Sequence, residues 1–390
     1  MTTRPASAPT ESQIKSFTLD VPQAELDDLD DRIARTRWPA PLPGDDWDLG
    51  VPVAYLRGLA GYWRDGYDWR RHEERLNAVP QFTTQIRRQR VHFLHVRSPH
   101  DAALPLLLTH GWPGSVVEFL DIIEPLTNPA DPADAFDVVI PSLPGFGLSG
   151  PVTQGWDTSA IAQAWLELMT RLGYPRFGVQ GGDIGAAVSP EVGRLAPERV
   201  IGVHINGAAA FVMPDRVDEQ TRRELTDLEN DRLARIGQFM QQEYGYIAIQ
   251  STRPQTLAYG LVDSPVGQLA WLIDKFREWT YPRNELPESA IDRDRLLTNA
   301  MLYWLTGTAG SSAYVGYHSD APSWGPAKAA SGVPTASLQT AHDVGIRRFD
   351  EAENTITRWT DLNTGGHFAA LEIPEVLVSD LRTFFHELRK

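Results

Sequence analysis

From about residue 104 the chain alternates short apolar runs with helix-length amphipathic segments. The runs 105–109, 136–140, 177–180 and 200–205 are each soon followed by Gly or Pro, and read as buried strands. Between them, 116–126, 159–172 and 186–195 carry apolar residues at helical spacing. This alternation predicts parallel βαβ units. Asp157, Thr158 and Ser159 supply N-cap choices for the second helix.

The alternation stops near Gly207. Residues 215–242 are charged, with an apolar stripe of Leu225, Leu228, Leu233, Ile236 and Met240, which predicts one helix. Helical patterns follow at 267–279 and 293–305. Strand-like runs return at 334–339 and 354–359, and 374–388 reads as a closing helix with Pro374 in its first turn. A helical insertion between two halves of a sheet is the sequence form of a lid. Ahead of the sheet, 21–35 (Leu26, Leu29, Ile33) and 53–63 read as helices around Trp- and Pro-rich turns at 38–47. The expected organisation is a polar tail at 1–13, an N-terminal module at 14–100, a core at 101–211, a lid at 212–325 and the rest of the core at 326–390.

Composition narrows the function. The chain has 390 residues, 42% of them hydrophobic, with 12 Trp, enough for a sizeable core. The net charge of −15 and the lack of long basic clusters argue against nucleic acid and anionic membrane surfaces. With no cysteine there is no disulfide, thiolate nucleophile or Cys-ligated zinc. No run of 18 apolar residues is long enough to span a bilayer, and residues 1–13 lack the apolar region of a signal peptide. A cytoplasmic enzyme without metal or cofactor is expected. A homodimer is left open.

Four motifs carry chemistry. Gly181-Gly-Asp183-Ile184-Gly185 lies between a predicted strand and a helix, as a nucleophile elbow does, with Asp183 where serine is common. The helix N-terminus favours an anion there. His110-Gly-Trp112-Pro-Gly-Ser115 follows the strand at 105–109. In this architecture Trp112 and Ile184 supply the backbone N–H groups of an oxyanion hole. Asn363-Thr-Gly-Gly-His367 lies late in the chain, and Asp343 follows the strand at 334–339. Nucleophile, acid, histidine is the chain order of the α/β-hydrolase fold, which has a mostly parallel central sheet.

An aspartate nucleophile suits saturated carbon bearing a leaving group, because the alkyl ester it forms can be hydrolysed at the aspartyl carbonyl. Epoxide oxygen and halide both qualify. Halide wants weak N–H donors, often a Trp after the nucleophile, whereas position 184 is Ile. The insertion is rich in tyrosine (Tyr244, Tyr246, Tyr259, Tyr303, Tyr314, Tyr317), which suits a developing alkoxide. Epoxide hydrolysis is favoured. A haloalkane dehalogenase, and a catalytically silent ligand-binding hydrolase fold, are the alternatives. An aromatic lid suggests an apolar, even bulky epoxide, met in detoxification or in a bacterial natural-product pathway.

The chain resembles the microsomal-type epoxide hydrolases and their bacterial relatives over nearly its whole length. The resemblance rests on the segment from Trp69 to Phe82, on His110 to Ser115, Gly181 to Gly185 and Asp263 to Gly267, and on Gly365 to Ala370. It implies that Asp183 is the nucleophile, His367 the water-activating base and Asp343 its orienting acid. Tyr246 falls on a ring-opening tyrosine. Three positions depart from the family pattern. Ile184 stands where Trp is frequent, Thr340-Ala-His-Asp343 matches the acid segment in part, and the second tyrosine position is Gly316. Tyr317 or Tyr314 then substitutes, Tyr317 being the nearer neighbour. The vertebrate members' membrane anchor has no counterpart here, so a soluble protein is expected.

Overall fold

The computed structural model describes residues 13–44, 46–208, 210–318 and 329–389. The expected tail at 1–13 lies, apart from Gln13, outside the described residues. Nine strands form one sheet: β1 (Lys15–Phe17), β2 (Gln81–Ile86), β3 (Gln89–Val96), β4 (Leu104–Thr109), β5 (Phe136–Pro141), β6 (Phe177–Gly182), β7 (Val200–Asn206), β8 (Pro334–Gln339) and β9 (Thr355–Asp361). Their order is β1-β2-β3-β5-β4-β6-β7-β8-β9. The last six in that order pair in parallel, as the alternation predicts. The first three pair antiparallel and extend the same sheet, so the strands of 14–100 belong to it.

The parallel strands are covered by helices on both faces. This is why β4 reads Leu-Pro-Leu-Leu-Leu-Thr without alternation, and why Leu106, Leu107 and Leu108 are all buried. Helix Thr158–Arg171 begins where its cap requires, with Asp157 accepting the Ala160 N–H at 2.7 Å. The expected single helix over 215–242 is corrected. Glu219–Glu224 ends, and Asp227–Gln242 starts again behind a capping box in which Thr226 and Glu229 bond each other's backbone N–H. Such a cap is worth about 1 kcal/mol, enough to fix the break.

Helices Asp227–Gln242, Gly245–Thr252, Pro254–Asp263, Pro265–Trp279, Arg293–Thr306 and Ala309–His318 form the lid between β7 and β8. The N-terminal helices brace it through tyrosine hydroxyls. Tyr62 donates to Asp294 at 2.7 Å, Tyr55 to Glu288 at 3.0 Å, and Tyr67 shares a 2.9 Å bond with Thr298. Among the described residues no helix is long and apolar enough to cross a membrane.

Candidate active site

Asp183 sits between β6 and helix Ile184–Leu195 with φ 54° and ψ −120°, a backbone that few non-glycine residues adopt. The turn closes tightly enough that a Cβ on Gly185 would run into the Thr109 carbonyl oxygen, and one on Gly181 into the Gly185 backbone. Glycine at both positions is therefore steric necessity, and the strained turn lifts the Asp183 carboxylate out of the sheet edge. The Trp112 N–H donates to its Oδ1 at 2.9 Å. His367 Nε2 lies 3.5 Å from its Oδ2.

The electrostatics match that geometry. Burial pushes the Asp183 carboxyl up. His367 and the N–H groups of Trp112 and Ile184 outweigh it and hold the group below the usual carboxylate range. Burial alone would lower the His367 imidazole, but Asp183, Asp343 and Glu118 raise it. Asp343 is buried just after β8. Burial raises its carboxyl against the Thr340 N–H, which donates to Oδ2 at 2.7 Å. The structure thus brings Asp183, His367, Trp112 and Ile184 together in direct contact, with the field of Asp343 on the histidine.

The inserted helices are tied to the loops that carry Asp343 and His367. Arg235 donates to the carbonyls of Ala341 and His342 at 3.0 and 2.9 Å, and Arg232 to that of Gly345 at 3.1 Å. These contacts grip the loop that carries Asp343. On the other loop, the His367 N–H donates to the Trp279 carbonyl at 2.8 Å. Glu372 accepts the N–H of Phe368 at 3.0 Å and that of Tyr281 at 2.9 Å. The Arg232 and Arg235 anchors were not legible in the sequence, since each is a long-range contact from an ordinary polar helix position.

Aromatic rings wall the site. Tyr246 stacks on Trp112 at 5.0 Å and packs on Trp279 at 5.4 Å, and Trp279 lies 5.1 Å from His367. Burial, then the Asp183 charge, raise the Tyr246 phenol well above its usual value. It stays protonated and so can donate. Tyr314 and Tyr317 lie on helix Ala309–His318 with their rings stacked at 5.8 Å. The sequence favours Tyr317 by its nearness to Gly316, but the structure leaves that ring 52% exposed and Tyr314 half-buried beside it. Tyr303, fully buried, is committed to the Gly114 carbonyl at 2.7 Å. Among the described residues no cluster of three or more His, Asp or Glu is arranged to hold a metal.

A family profile described as the epoxide hydrolase N terminus matches residues 14–119, and one for the alpha/beta hydrolase fold matches 105–247. Epoxide hydrolase 1 of Sus scrofa is 35% identical over 414 residues, covering 98% of this chain and 90% of that one. The chain belongs to the epoxide hydrolase family. A Stigmatella aurantiaca protein assigned to the epoxide hydrolases is 44% identical over 384 residues, covering 96% of this chain and 86% of that one. The crystal structure of juvenile hormone epoxide hydrolase from the silkworm Bombyx mori superposes with a TM-score of 0.86 at 29% identity, over 97% of this chain and 95% of that one. This epoxide hydrolase therefore carries its family's fold from the N-terminal strands to the closing helix.

Proposed function

We propose that this epoxide hydrolase works through a covalent ester on Asp183, with an apolar epoxide as substrate. One observation carries the reading: the two carboxylate oxygens have different partners. Oδ1 takes the Trp112 N–H, while Oδ2 faces His367. Oδ2 is then the attacking atom. It forms a bond to an epoxide carbon as the C–O ring bond breaks, and the ring oxygen takes one proton from Tyr246 while a second tyrosine donates a hydrogen bond to it. The half-buried Tyr314 is better placed than Tyr317 to be that second donor, because a donor must reach into a closed site.

In the second step water adds to the Asp183 carbonyl carbon and its proton goes to His367. The charge that builds on Oδ1 meets N–H groups already in place. Collapse breaks the bond to Oδ2, which leaves with the diol. Asp343 stabilises the imidazolium. The walls of Trp112, Tyr246 and Trp279 favour an apolar substituent on the epoxide.

The route of the oxygen tests the reading. A single turnover in ¹⁸O-water should label Asp183 and leave the diol unlabelled. His367→Gln should gain the mass of one substrate and stall, and Asp183→Ala should gain none. Labelled diol in the first turnover, with no adduct on His367→Gln, would reduce Asp183 to a general base.

A further inference from the structure

Glu118 stands in the 3₁₀ turn Val116–Phe119, directly after the loop that supplies the Trp112 N–H. It lines the cavity that Asp183, His367, Trp112 and Asn206 line. Its carboxyl lies over Gly114, where an added Cβ would collide with Oε1. A side chain at position 114 would displace this carboxyl from where it lies. The part of the cavity open to a water-sized body is about 10 Å³, close to what one water molecule needs. Burial pushes the Glu118 carboxyl up to about 8; His367 and a hydrogen bond from the Ser115 N–H oppose the rise, and the Asp183 charge adds to it. An ionisable group facing both reacting residues has no part in the two steps above.

We propose that Glu118 holds the hydrolytic water against His367, accepting a hydrogen bond from one O–H while the other O–H points at Nε2. The inference rests on the covalent reading of the reaction. The water oxygen bonds to the Asp183 carbonyl carbon, and its proton moves to His367. The bond to Oδ2 then breaks, the departing diol oxygen takes that proton from His367, and the water's second hydrogen, left on the Asp183 carboxyl, returns to the Tyr246 oxygen that gave its proton in ring opening. Glu118 gains and loses nothing. Neutral or ionised, it presents an acceptor oxygen, so its role is orientation.

The step-selectivity of the defect tests this. Styrene oxide, or the first epoxide of a panel that the wild type turns over, is mixed with excess enzyme. Quenched samples are weighed for ester and assayed for diol. Glu118→Ala should form ester within about threefold of the wild-type rate and hydrolyse it about 10²-fold more slowly, a loss typical of a misplaced reacting group. Glu118→Gln keeps an acceptor oxygen at the same reach and should recover most of the hydrolysis. Glu118→Asp, one methylene shorter, should not, and it serves where the alanine variant fails to fold. Ester hydrolysis at the wild-type rate in Glu118→Ala, equal slowing of both steps, or a glutamine variant as slow as the alanine one would each overturn the proposal. Absence of any ester on His367→Gln would instead overturn the covalent reading, and the water site with it.

Discussion

His367 Nε2 lies 3.5 Å from Asp183 Oδ2, and the pair titrates as a unit in which each charge favours the other. A histidine raised by a carboxylate holds its extra stabilisation below its ordinary pKa of about 6.5 and loses it as pH rises through the raised folded value. Esterification removes the Asp183 charge. Its upward pull on His367 then ends and the downward effect of burial remains. The histidine should thus become a free base at a lower pH in the ester than in the resting enzyme. NMR titration of the resting imidazole, set against the pH dependence of ester hydrolysis in single turnovers, checks this. A hydrolysis midpoint at or above the resting imidazole's would sink it. Ring opening should persist to more acidic pH than a normal carboxylate allows, because Asp183 is held low.

Ring opening needs a proton donor at the alkoxide, and a positioned acid contributes about 10²–10⁴-fold. Tyr246→Phe should slow ester formation by an amount in that range with the fold intact. Tyr314→Phe should do the same, and Tyr317→Phe should stay within about threefold of wild type. Rapid-quench measurement of ester formation decides between them. A large loss in Tyr317→Phe with a normal Tyr314→Phe would return the role to the residue favoured by sequence proximity.

Strands β4 to β7 of the parallel half were legible because they are largely apolar runs soon followed by Gly or Pro. The antiparallel half was not. The β2–β3 hairpin turns on Arg87 and Arg88, with φ of 50° and 67°, where Asn-Gly would have marked a two-residue turn. One of its faces is polar although buried, since His92 bonds Ser142 at 2.9 Å and Gln81 at 2.8 Å, so these positions read as a solvated face beside the buried Val91 and Phe93. In the site, Asp183, His367 and Trp112 lie on short motifs with forced backbone shapes, which local sequence carries. Glu118 looked like the polar face of a helix over 116–126, and only the turn geometry aims it inward. The greater burial of Tyr314 than of Tyr317 depends on which way helix Ala309–His318 presents its rings, and spacing alone does not encode that.

On the proposed covalent mechanism Asp343 acts through His367, so its loss should divide the two steps. Ring opening uses an ionised Asp183 and a tyrosine donor, and needs no base. Hydrolysis makes an imidazolium, which Asp343 stabilises. Asp343→Asn should slow ester hydrolysis by about 10²–10⁴-fold while ester formation changes by much less. The lid holds the same loop: Arg235 grips the carbonyls of Ala341 and His342, directly before the acid. Arg235→Met keeps the length of the side chain and removes both bonds. It should give a milder defect of the same kind, about tenfold in hydrolysis, because a looser loop lets the carboxylate drift from the imidazole. Single-turnover ester decay measures both variants. If Asp343→Asn hydrolyses the ester normally, the field on His367 comes from another carboxylate, and Glu118 and Glu372 are the two that already act on it or its loop. If Arg235→Met slows ring opening as much as hydrolysis, the clamp shapes the lid as a whole and does not position the acid.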